Sequence, residues 1–146
     1  MPDPEAGPLG PEDAKLVTLA RAARQRAHVR DPAHAEGAAV RDSDGRSYAA
    51  ATVASADPRW TMTALHGAIV AAASSGARRL EAAVLVTAAR TELGPDAKLE
   101  RPAQPEPAAR PEPAADPPEG PLLREFDVPI LYVVTPEGEL RRTWSP

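Results

Sequence analysis

Between residues 11 and 28 the apolar positions Leu16, Leu19, Ala20, Ala23 and Ala27 recur at helical spacing, and Glu12 and Asp13 place negative charge in the first turn. The positive end of a helix dipole favours acids there, so the pattern predicts a first helix over 11–28. Residues 36–41 and 46–53 flank Asp42-Ser43-Asp44-Gly45. An Asp-Gly pair supplies the positive φ angles of a tight turn, which predicts a β-hairpin. Leu65, Ala68, Ile69 and Ala72 follow i, i+3, i+4, i+7, with Gly76 at the place of a C-terminal cap, so a second helix starts near Thr61 or Thr63. Residues 80–87 and 128–134 are short runs of Val, Leu and Ile and predict strands. Pro136-Glu137-Gly138 turns the chain into a last strand at 140–144, and 122–126 allows one or two turns of helix. The order α, β-hairpin, α, β, short α, β, β implies an α/β fold, a sheet with helices packed on it.

Two stretches break the pattern. Residues 1–11 carry Pro2, Pro4, Pro8 and Pro11 among acidic residues, and 101–121 holds eight prolines among Ala, Glu and Arg. Proline removes amide donors and the rest offers little to bury, which predicts a disordered tail at 1–11 and a disordered or polyproline-like insert at about 94–121. The tail precedes a single domain over 12–146, which the insert interrupts.

With 146 residues, one core is expected. The net charge of −4 gives no global attraction to nucleic acid or to an anionic membrane. No apolar run approaches the roughly 18 residues of a membrane span, and residues 1–11 lack the basic and then apolar character of a signal peptide, so a cytoplasmic location is expected. The absence of cysteine excludes disulfides, thiolate nucleophiles and zinc sites of the Cys type. Only two of 17 basic residues are lysine, a usage typical of GC-rich, actinobacterial-type genomes.

The order of elements, together with an ungapped stretch, resembles the cytidine deaminase superfamily. Glu36-Gly37-Ala38-Ala39-Val40 followed by Asp44-Gly45 resembles the family's V-G-A-A-L and D-G. The block from Tyr48 to Gly76 runs in register with its second strand, zinc-binding turn and second helix. Leu122-Leu123-Arg124-Glu125-Phe126 is similar to the end of C-R-Q-V-L-x-E-F, and 129–142 to P-V-Y-L-V-D-x-x-G-x-V-R-R. The resemblance implies a three-layer fold with a mixed sheet, and a homo-oligomer assembled through the region of the second helix. Ala64, Ala68, Ala71, Ala72, Ala73 and Gly76 put small residues around most of that helix.

The family's chemistry uses a zinc held by three Cys/His ligands and a glutamate that moves protons. At its C-A-E position this chain reads Thr63-Ala64-Leu65, and the P-C-x-x-C falls on Ala115-Asp116-Pro117-Pro118-Glu119. The ribose-binding G-x-N-x-E becomes Ala50-Ala51-Thr52-Val53-Ala54, with Thr52 and Ala54 at the sugar-contacting positions. The resemblance therefore implies a deaminase fold without catalytic residues and without a cofactor, an interaction or regulatory module.

The rival reading is a zinc-dependent nucleoside deaminase with a metal site rebuilt from His66, Asp116 and Glu119. A third is a module that binds a nucleoside without turnover. Against the rival, His66 reads as a partly exposed polar residue one place past Leu65, and Asp116 and Glu119 read as a solvated linker. Thr63 reads as a helix cap and Leu65 as core. His28 and His34 flank a loop and read as solvated. Asp42 and Asp44 belong to a turn, since a calcium loop would supply more oxygen ligands.

Overall fold

The computed structural model describes residues 9–88 and 116–146. Pro11 opens helix α1 (Pro11–Arg24), where its missing amide and fixed φ suit the first helical position. The buried face consists of Leu16, Val17 and Ala20, while Leu19, expected inside, is 40% exposed. Val17 takes its place, packing beside Leu16 and Ala20 against Ala39, Val84 and Val86 of the sheet. The helix also stops four residues before the expected end. Gln25, Arg26 and Ala27 make tighter i→i−3 bonds, and His28 then donates its N–H to the Thr52 carbonyl and accepts from Ala54 N–H.

Strands β1 (Glu36–Asp42) and β2 (Ser47–Ala51) form the hairpin. The Asp42 carboxylate accepts from the amides of Asp44 and Arg46 and from the Tyr48 hydroxyl, which fixes the turn. Beyond Ala51 the chain leaves the ladder, and Val53 pairs instead with Met62. Helix α2 (Ala64–Ser74) has Thr63 as its N-cap, the hydroxyl oxygen accepting from His66 N–H at 3.1 Å. At the other end Gly76 (φ 105°) donates to Ala73, and Ala77 donates to Ala72. This pair of bonds closes the helix in a conformation that suits glycine.

Strand β3 (Leu80–Thr87), a short helix α3 (Gly120–Glu125), and strands β4 (Leu131–Val134) and β5 (Leu140–Trp144) complete the described chain. Val128 is buried but lies outside β4. Asp127 adopts a positive φ and Val128 N–H bonds back to Leu123, so the strand begins later than its apolar run.

The sheet order is β2-β1-β3-β4-β5, with β3 and β4 parallel and the other neighbours antiparallel. Alternate residues serve opposite faces. Ala38, Val40, Leu85, Leu131 and Val133 pack with Leu65, Ala68, Ile69 and Ala72 of α2 and Leu123 of α3. Ala39, Val84, Val86, Tyr132 and Val134 pack with Leu16, Val17 and Ala20 of α1. The result is the expected three-layer arrangement around a mixed sheet. Ala64, Ala68 and Ala72 spend their small size on close approach to the sheet.

Helix α1 is fastened by direct contact and by charge. A Cβ at Gly37 would lie 2.1 Å from the Ala20 carbonyl oxygen, so helix and strand backbones touch there. Asp13 pairs with Arg41 at 3.0 Å and accepts from the Tyr132 hydroxyl at 2.8 Å, and Arg41 also meets Glu81 at 3.0 Å.

The solvated-linker reading fails at its carboxyl end. Pro117, Glu119 and Gly120 are buried, and residues 117–120 form a turn closed by Gly120 N–H to the Pro117 carbonyl. Long-range partners supply the order that local composition does not. The rest of the expected insert, 94–115, and most of the expected tail lie outside the described residues.

Candidate functional site

The amino terminus of α2 and the turn before α3 face each other across a cleft of about 460 Å³ lined by Thr63, His66, Pro118, Glu119, Pro121, Leu122 and Glu125. Three of the residues singled out from the sequence, Thr63, His66 and Glu119, thus come together, although 53 residues separate His66 from Glu119 in the chain. Thr63 is held by its role as cap. His66 is exposed, whereas Glu119 is only 6% exposed.

Asp116 does not join them. Its carboxylate accepts from Trp144 Nε1 at 3.0 Å and from the Arg124 guanidinium at 2.7 Å, outside the cleft lining. Arg124, and secondarily Trp144, holds the Asp116 carboxyl below the usual carboxylate range. The sequence carried no signal for this contact, because Trp144 lies 28 residues away on the last strand.

Leu65 is 0% exposed and packs in the core on the α2 side of the sheet. The two positions that the resemblance aligns with sugar contacts are engaged within the fold. Thr52 Oγ1 accepts from Glu36 N–H at 3.1 Å, and Ala54 N–H bonds to His28. His28 and His34 are exposed, as expected. Glu36, which no hydrophobic pattern in the sequence singles out, is a buried carboxylate that accepts from Thr87 Oγ1 at 2.8 Å at the end of β3. A glutamate where the resembled family has valine was the available signal.

A zinc ion needs three protein ligands and their supporting shell. Among the described residues no three His, Asp or Glu side chains are placed to share a metal ion. The Thr63 oxygen is occupied by the cap, and the trio His66, Asp116 and Glu119 is divided by the turn of Asp116 toward Trp144. The side chains among the described residues do not fit a zinc centre.

Residues 9–105 match the family model described as Cytidine deaminase-like, which is more than half of the chain. The chain belongs to the cytidine deaminase-like family. Solved structures similar to it include the cytidine deaminase from Burkholderia pseudomallei, at 22% identity and TM-score 0.61, covering 90% of each chain. The cytidine deaminase from Mycobacterium leprae is 23% identical with TM-score 0.57, again covering 90% of each chain. That from Mycobacterium tuberculosis is 22% identical with TM-score 0.55, covering 88% of this chain and 87% of the other. These likenesses establish the shared fold. A search of curated protein sequences finds no match. No helix among the described residues of this cytidine deaminase-like chain is long and apolar enough to cross a membrane.

Proposed function

We propose that this chain is a non-catalytic member of the cytidine deaminase-like family that serves as an interaction or regulatory module. The observation that carries the reading is Leu65. In the resemblance this position belongs to the proton-moving glutamate, and here it is an aliphatic side chain sealed in the core, unable to carry a proton or reach the cleft. The capped Thr63 and the divided donor set support the same conclusion.

An interaction role is supported by exposed apolar side chains. Val53 and Trp60, in the connection between β2 and α2, and Val70 on α2 all face solvent, and Trp60 is 72% exposed. Helix α2 carries no Asp, Glu, Lys or Arg from Ala64 to Ser74, so its outer face presents no formal charge apart from any on His66. We assign this face to self-association.

Elemental analysis of the purified protein beside a cytidine deamination assay tests the reading. Neither stoichiometric zinc nor turnover is expected. One zinc per chain with turnover abolished by His66→Ala would overturn it.

The cleft itself favours a second reading, retention of a small ligand such as a nucleoside without turnover. Thermal shift against a nucleoside panel tests it, since a ligand at 100 times its dissociation constant stabilises by about 2.7 kcal/mol.

A further inference from the structure

Helix α3 has only six residues, too few to hold its shape or place without tertiary ties. Its two sides do different things. Pro121, Leu122 and Glu125, with Pro118 and Glu119 of the preceding turn, form one wall of the cleft. Asp116, Gly120 and Arg124, spaced four apart, meet Trp144 of β5.

There the Asp116 carboxylate takes the indole N–H on one oxygen and the Arg124 guanidinium on the other. Arg124 lies over the indole, 5.5 Å from the ring centroid. A Cβ at Gly120 would sit 3.4 Å from an Arg124 nitrogen, 3.6 Å from Asp116 Cβ and 3.8 Å from the Trp144 ring. These are ordinary contact distances, so Gly120 lies within the cluster and the three side chains close around it. The guanidinium meets both the carboxylate and the π face, so removing either partner loosens the other.

We propose that Asp116, Arg124 and Trp144, packed around Gly120, form a clasp that positions the α3 wall of the cleft, doing by side-chain contacts what a bound metal cannot do with the donors among the described residues. This rests on the non-catalytic reading of the same site. Asp116, Arg124 and Trp144 are positioning residues, since none of them lines the cleft.

Hydrogen exchange on the full chain tests the clasp. Trp144→Phe keeps most of the bulk and removes the indole N–H, and Asp116→Asn removes the charge that Arg124 meets. Each is expected to speed exchange of the Leu123 and Phe126 amides about fivefold, the scale of one partly exposed charge-assisted bond. Amides of α2 and β1 should keep the rates of the unaltered protein, and EDTA should leave the unaltered protein unchanged.

If Trp144→Phe fails to fold, Asp116→Asn decides, because its side chain is half exposed. Unchanged α3 exchange in Asp116→Asn and in any folded Trp144→Phe would overturn the clasp while leaving the non-catalytic reading intact. Faster α3 exchange with EDTA in the unaltered protein would show a metal tie and overturn the clasp's independence from metal. Zinc content and cytidine turnover, measured on the same preparation, separately report the fate of the non-catalytic reading.

Discussion

Replacing Gly37 with alanine places a methyl group where backbone already stands. The new Cβ would lie 2.1 Å from the Ala20 carbonyl oxygen, 2.5 Å from Arg24 N and 2.9 Å from Arg24 Cα. Carbon and oxygen in ordinary contact stay about 3.3 Å or more apart, so α1 must retreat by roughly 1 Å. No side chain can swing aside to avoid this, because all three obstructing atoms are backbone. The retreat loosens Leu16, Val17 and Ala20 and stretches the Asp13 contacts to Arg41 and Tyr132. Overpacking of this kind costs about 1–3 kcal/mol or more. The reduced freedom of the unfolded chain offsets up to about 1 kcal/mol of that. A net loss of about 2 kcal/mol is expected, a fall in Tm of roughly 8 °C for a domain of this size.

Urea unfolding followed by circular dichroism measures the loss, and hydrogen exchange in α1 localises it. Gly76→Ala is the control. Its Cβ would meet nothing within 4 Å, but its φ of 105° strains any side chain, so about 1 kcal/mol is expected with α1 exchange unchanged. A Gly37→Ala loss below about 0.5 kcal/mol, or α1 exchange no faster than in the control, would refute the backbone-contact reasoning.

Leu65→Glu, which places a glutamate where the resemblance puts the proton-moving one, should destabilise by at least about 3 kcal/mol and support no deamination, because it buries a carboxyl in an apolar core; chemical denaturation and a cytidine assay check both parts. Asp42 is pushed up by burial, but the hydrogen bonds from Arg46, Asp44 and Tyr48 outweigh this and lower its carboxyl pKa. Its stabilising contribution is therefore complete above the ordinary carboxylate range and fades as pH falls through the lowered folded value, and Asp42→Asn should flatten the acid limb of a stability–pH profile. Tyr132 has the opposite sign. Burial, then Asp13, raises its phenol, so its contribution is present below about pH 10 and is lost as pH rises through the folded value; Tyr132→Phe should cost about 1 kcal/mol at pH 7 and remove a late-titrating phenol from the ultraviolet titration. Val70→Glu should shift sedimentation toward monomer and remove the dependence of Tm on protein concentration that self-association confers, and a chain already monomeric at tens of micromolar would refute self-association through α2.

Signals confined to a few neighbouring residues are legible in the sequence alone. The Thr63 cap, the Gly76 terminus and the hairpin turn around Asp44-Gly45 each depend on hydrogen bonds spanning two to five positions; all three lie where expected, although in the turn Gly45 alone takes a positive φ and the Asp42 carboxylate does the rest. Periodicity places Leu65, Ala68, Ile69 and Ala72 on the inner face of α2 for the same reason. Tertiary structure decides what depends on distant partners. Val17 rather than Leu19 packs against the distant sheet residues Ala39, Val84 and Val86, and α1 ends early where His28 pairs with Thr52. Asp116 and Glu119 share a proline-rich stretch with no apolar pattern, so composition reads both as solvated. Trp144 draws Asp116 to one side of α3 and Glu119 turns to the cleft on the other, a division set by an indole 28 residues away that no local rule contains.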